Sequence, residues 1–174
     1  MADPTSGPEA PASTAPAGEA APHQRVFLVV VDQSPELRVA LRFACRRARA
    51  TNGRVAMLYV TEPASGEWLG VGELMREEAR AEAETRLQEL AAGVRAMSAE
   101  MPVLYVREGE ARDELVKLLA EEPSISVLIL ASDPGPKGPG ALISALTGKQ
   151  VGKLRVPQTI VPGSLSDVEI DAIT

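Results

Sequence analysis

The chain is short of the residues that most protein chemistry relies on. It has one cysteine, Cys45, so it cannot form an internal disulfide. A lone thiol fits a reducing compartment, and a cytoplasmic location is expected. It has one histidine, His23, and that residue lies in a segment with little to bury; a histidine-based triad or a multi-histidine metal site within one chain is excluded. Aromatic residues make up 3%, with Trp68 the single tryptophan. No apolar run approaches the roughly 20 residues that a transmembrane helix needs, so no membrane partner is expected. Positive charge is in deficit, with 18 Lys and Arg against 24 Asp and Glu for a net charge of −6. Nucleic-acid binding needs a basic face, and this balance argues against it.

What the chain does have is enough apolar residues, 45%, for a core, and with 174 residues there is room for one domain and a tail. Residues 1–24, "MADPTSGPEAPASTAPAGEAAPHQ", are mostly Pro, Ala and Ser. Such a segment cannot offset its ordering entropy and is expected to be a disordered tail. It lacks the apolar stretch of a signal peptide. The domain is expected over residues 25–163. Residues 164–174 form a short C-terminal tail, where Ser166 and Glu169 make a capping-box pattern compatible with a helix.

Between the tails, strand and helix patterns alternate. "VFLVVV" (Val26 to Val31), "RVAMLYV" (Arg54 to Val60), "PVLYV" (Pro102 to Val106), "SVLILA" (Ser126 to Ala131) and "PQTIVP" (Pro157 to Pro162) are short apolar runs that read as buried strands. After the first, Ser34 is expected to cap a helix with Pro35 in its first turn, and Leu37, Leu41, Ala44 and Ala48 share one face. Asn52-Gly53 ends that helix. A longer helix is expected from Val71 to Met97, with Met75, Ala79, Ala83, Leu87, Leu90, Val94 and Met97 on its apolar side and a Glu82–Arg86 pair on the wet side. "EGEARDELVKLLAEE" reads as a third helix stopped by Pro123. This alternation predicts an α/β fold, a single domain with a parallel sheet covered on both faces, in the Rossmann-like manner. In such sheets ligands bind outside the carboxyl ends of the strands, where the strand order reverses. The loops after strands one and four are therefore the candidates. They contain Asp32 and the glycine-rich stretch "ASDPGPKGPGALISALTGK" (Ala131 to Lys149).

From Arg25 to Pro162 the chain resembles the universal stress proteins. The resemblance is carried by "VVVDQSPE" after the first strand, "VAMLYV", "VREGEARDELVKLL" around the third helix and "VPQTIVP" as the last strand. It implies a five-stranded parallel sheet ordered 3-2-1-4-5, and a homodimer formed through the last strand. It also implies a regulatory or binding role in stress physiology, with a protein partner that the sequence does not name. Some members bind ATP and others do not. The binders are implied to use an acidic residue ending strand one, matched by Asp32, and the end of strand two, near Val60. They also carry a motif after strand four: Gly, two residues, Gly, nine residues, Gly, then Ser or Thr.

Two frames of that motif compete. The shifted frame takes Gly135, Gly138 and Gly148, with both gaps correct, but Lys149 stands where Ser or Thr is expected. The ungapped frame places the motif on Ala131, Pro134, Ser144 and Ala145, and all three glycines are lost; Ser132 lies beside its first position. Pro134 also lacks the N–H that such a loop points at phosphate. The ungapped frame is preferred because it leaves room for a helix capped by Ser144 and running to about Arg155. ATP is then bound weakly or not at all, and no cofactor is required. The alternatives are a working ATP site in the shifted frame, or a dimer that binds only protein. A Walker-type reading of "TGK" fails, since Ile143 and Gln150 occupy its glycine and hydroxyl positions. Nothing suggests an enzyme beyond a very slow ATPase should ATP bind. Asp32 reads equally as a turn residue. Cys45 reads as a buried, inert thiol. Trp68 covers either the crevice, a partner or the edge of the core.

Overall fold

The computed structural model describes residues 24–63, 71–136, 138–148 and 154–174. Within them the order is β1 (Val26–Val31), α1 (Leu37–Ala50), β2 (Arg54–Thr61), α2 (Val71–Ser98), β3 (Val103–Glu108), α3 (Ala111–Glu121), β4 (Ile125–Ser132), α4 (Ala141–Thr147), β5 (Gln158–Pro162) and α5 (Asp167–Ile173). The five strands form one sheet ordered β3-β2-β1-β4-β5. Every neighbouring pair is parallel.

The continuous apolar runs have the reason expected of them: both faces of the sheet are buried. Alternate residues of β1 point to opposite sides, as strand geometry requires. Phe27, Val29 and Val31 join a core with α1, α2 and α5, while Val26 and Leu28 join a second core with α3 and α4. On α1 the residues Leu37, Leu41, Ala44 and Ala48 are all buried. Its end is fixed by Asn52 at φ 51° and by Gly53, whose N–H donates to the Ala48 carbonyl at 2.7 Å. A Cβ on Gly53 would lie 2.6 Å from the Arg25 carbonyl oxygen, so glycine is required there.

Four local expectations differ from the structure. Helix α1 begins at Leu37, not at Ser34; Ser34 lies in a turn before it, and its N–H is taken by Asp32 at 3.0 Å. Arg86 pairs with Glu89 rather than Glu82, and Arg80 pairs with Glu84. Met75 is exposed, whereas Ala83, Leu87 and Val94 are buried. The reason is length. A 28-residue helix spans about 42 Å, whereas the eight residues of β2 span about 26 Å, so the start of α2 outruns the sheet. Lastly, α4 begins at Ala141 with Gly140 as its cap and ends at Thr147, so Ser144 is an interior residue and Arg155 lies outside the helix. Ser144 cannot cap because its hydroxyl donates back to the Gly140 carbonyl at 2.9 Å. Trp68 and His23 lie outside the described residues.

Candidate functional site

Strands β1 and β4 are adjacent and parallel, but the chain leaves them toward opposite faces, through α1 to one core and α4 to the other. Such a divergence opens a crevice at the carboxyl ends of the strands. Here it is a pocket of about 140 Å³. Its floor is Val30, Leu130 and Ala131, and one wall is Asp32, Glu36 and Leu37 at the start of α1. The other wall is Asp133, Pro139, Gly140 and the first turn of α4.

Of the eight sequence candidates, Asp32 and Ala131 line this pocket, and the other six are not among its lining residues. Val60 packs against the core shared with α3 and α4. Ser132 gives its carbonyl to the Gly163 N–H at 2.9 Å. Gly135 donates its N–H to Asp133 at 2.6 Å. Gly138, at φ 89°, follows it in the loop, and Gly148 caps the end of α4. Ser144 sits in the second turn of α4, where its N–H is bonded to Gly140 at 3.0 Å. Neither frame of the glycine motif therefore converges on the pocket as a set.

Three lining residues were missed by sequence reasoning, and each matters chemically. Glu36 and Asp133 add two carboxylates to that of Asp32, and Gly140, at φ 99°, starts α4. Asp133 had a legible signal: an Asp two residues before glycine, after a strand, forms an Asx turn. Glu36 had none, since its place in the wall depends on packing. No Lys or Arg is among the described lining residues. At an effective dielectric near 20, a unit anion about 6 Å from a carboxylate is opposed by roughly 3 kcal/mol before salt screening. The loop is also poor in amides to offset this, because Pro134, Pro136 and Pro139 have none. Among the described residues, no group of three or more His, Cys, Asp or Glu is arranged to hold a metal ion. No described helix is long and apolar enough to cross a membrane.

A doubly wound parallel sheet with its crevice between β1 and β4 defines a small nucleotide-fold α/β module. A model of the universal stress protein family matches residues 24–162, and the chain belongs to that family. In fold it is similar to universal stress protein UspA from Lactobacillus plantarum, with a TM-score of 0.66 at 17% identity, covering 80% of this chain and 97% of that one. A universal stress family protein from Burkholderia pseudomallei gives 0.59 at 16% identity, covering 79% and 95%. A universal stress protein solved in complex with cAMP gives 0.56 at 19% identity, covering 82% and 99%. No curated protein matches the chain in sequence.

Proposed function

We propose that this protein is a regulatory binding module of the stress response whose adenine-nucleotide site is degenerate. One observation carries the reading: the crevice that the fold reserves for a nucleotide is small and lined by Asp32, Glu36 and Asp133 without a lining cation among the described residues. Pockets for ligands of nucleotide size are typically about 300–1,000 Å³, against about 140 Å³ here. A fold neighbour solved in complex with cAMP supports an adenine nucleotide as the kind of ligand. The module works as a cytoplasmic homodimer paired through β5 and acts on a partner protein rather than as an enzyme. The shifted glycine frame is the rival reading, and it forecasts tight ATP binding.

The test is direct. The purified full chain is denatured and its supernatant is analysed by mass spectrometry for AMP, ADP, ATP and cAMP. The expected result is far less than one nucleotide per chain, and melting curves that move little with 1 mM ATP. A ligand at about 100 times its Kd would add roughly 2.7 kcal/mol, which such a curve resolves. One bound ATP per chain, lost in the Gly138→Val, Gly148→Val double variant, would establish the rival frame.

A further inference from the structure

Helix α2 keeps one side open. Met75, Glu82, Arg86, Leu90, Gly93 and Met97 recur one or two helical turns apart and so lie along that side. Toward the C-terminal end of α2 it forms a trough with α1. One hollow of about 290 Å³ is lined by Leu37 and Leu41 of α1 and by Leu90, Gly93 and Met97 of α2. A second of about 540 Å³ adjoins it, sharing Arg86 and Glu89 and adding Tyr59 and Glu82. From Glu82 to Met97 the trough runs for roughly 22 Å.

Three residues on this side have no account within their own chain. Gly93 is exposed, and a Cβ built on it meets nothing within 4 Å. Glycine costs a helix interior more than any residue but proline, and no described neighbour requires it here. Glu82 has no Lys or Arg within 4.0 Å among the described residues, and Arg86 reaches only Glu89, at 3.5 Å, with both side chains about half exposed. Met75, near the start of α2, leaves 50% of its surface exposed.

We propose that the trough receives α2 of a second copy of this chain, the two helices running antiparallel about a two-fold axis at Glu84. Two pairs of residues set that register. Glu82 and Arg86 lie equally far on either side of Glu84, and so do Met75 and Gly93. One alignment therefore places Glu82 opposite the second copy's Arg86, twice over by symmetry, and Met75 over the open space at the second copy's Gly93. The missing side chain at Gly93 lets the facing backbone approach closely, and a flexible thioether fills an irregular hollow. Glu84 itself points to the other flank, where it pairs with Arg80 at 2.9 Å, so the axis does not bring two Glu84 carboxylates together. Helix α2 packs on β2 and β3, at the far end of the sheet from β5, so the contact is independent of any pairing through β5. A contact between two helix faces falls at the low end of specific interfaces, roughly 1,200 Å² or less, and association is expected at high micromolar concentration.

The experiment is sedimentation velocity on the full chain carrying Ile160→Lys, which takes the β5 edge out of the measurement, from micromolar to millimolar concentration. This parent is expected to pass from monomer to dimer over that range, and the dimer to weaken as salt is raised. Gly93→Gln is expected to fold as well as the parent by circular dichroism and melting, because its Cβ meets nothing in its own chain. Its dimer is expected to be weaker by about tenfold or more, since the added side chain overfills the contact. Glu82→Arg and Arg86→Glu are each expected to weaken the dimer about tenfold. The two changes combined should regain most of the loss, because opposite charges again face each other across the axis; a helix that was merely destabilised would show no such rescue. Full association of a folded Gly93→Gln overturns the trough as the docking surface. A combined variant no better than either single change overturns the antiparallel register. A parent that stays monomeric up to millimolar concentration overturns the second copy as the occupant.

Discussion

Cys45 lies in the middle of α1, fully buried among the residues that α1 and α2 share. Burial pushes its thiol up to about 12, so the nucleophilic thiolate is scarce at any physiological pH. The native protein is expected to react with Ellman's reagent at pH 8 no faster than it unfolds, and at once in denaturant; prompt native labelling would show that the thiol is reachable. Arg155 is the opposite case, a residue whose importance only its partners reveal. Its guanidinium donates to the carbonyls of Leu119, Glu122 and Ile125, at 3.2 Å for the last, and so closes the C-terminal end of α3. Breaking a charged hydrogen bond costs about 1–3 kcal/mol at most, and less for bonds such as these that are half-buried or exposed and that water can replace. Arg155→Ala is accordingly expected to lose about 1–3 kcal/mol in urea unfolding. Arg155→Lys should recover little of it, because an ammonium cannot fan across three carbonyls. The sequence placed Arg155 at the tail of a helix; the distance between α3 and the segment before β5 was not legible there.

At the scale of elements, α5 shows how a local signal and a tertiary contact combine. Its capping box was legible: the Ser166 hydroxyl accepts from the Glu169 N–H at 3.4 Å, and Glu169 accepts from the Ser166 N–H at 2.8 Å. Its seat on α1 was not, because the pairing of Arg42 with Asp171 joins residues 129 apart. The hydrogen bond from Arg42, then the charges of Arg42 and Arg46, hold the Asp171 carboxyl below its ordinary value. Glu169 is lowered by its bonds to the Ser166 hydroxyl and N–H. In both cases the folded state binds fewer protons than the unfolded chain. Their contribution is thus full above the usual carboxylate range near about 4 and is lost as pH falls through the depressed folded values. Hydrogen exchange across α5 is expected to quicken below about pH 4 before exchange in β1 and β4 does; α5 and the central strands loosening together would contradict this. Helix α2 carries the complementary lesson. Its period was right at Ala83, Leu87 and Val94, which are buried, and failed at Met75 near the start of the helix, which is exposed.

For the whole molecule the open question is how its sheet edges are covered. Both β3 and β5 are edge strands, and in β5 the Ile160 side chain is 39% exposed while Val161 is buried. An open apolar edge is a template for pairing unless it is covered, and the proposed homodimer covers β5. Ile160→Lys is expected to shift the protein toward monomer in light scattering, with its secondary structure unchanged by circular dichroism. Wild type that is already monomeric at micromolar concentration would sink the dimer.

The sequence by itself determined the sheet. Five apolar runs, each too short for a helix and too continuous for a half-exposed strand, specify buried parallel strands, and the amphipathic stretches between them specify the crossovers. It also located the candidate crevice, because the loops after β1 and β4 must meet wherever the strand order turns back on itself. Tertiary structure alone decided what that crevice contains. Asp32 was visible as a strand-ending acid, but Glu36 and Asp133 line the crevice beside it, and the Gly163 backbone, 127 residues after Glu36, packs so closely on the Glu36 stem that a Cβ there would meet it. Of the glycines in the stretch after β4, Gly135 donates to Asp133 in a turn, while Gly140 and Gly148 flank α4. Periodicity records which face of an element is buried; it carries no record of which distant backbone will pack against a side chain, since that depends on contacts between elements that no local pattern encodes.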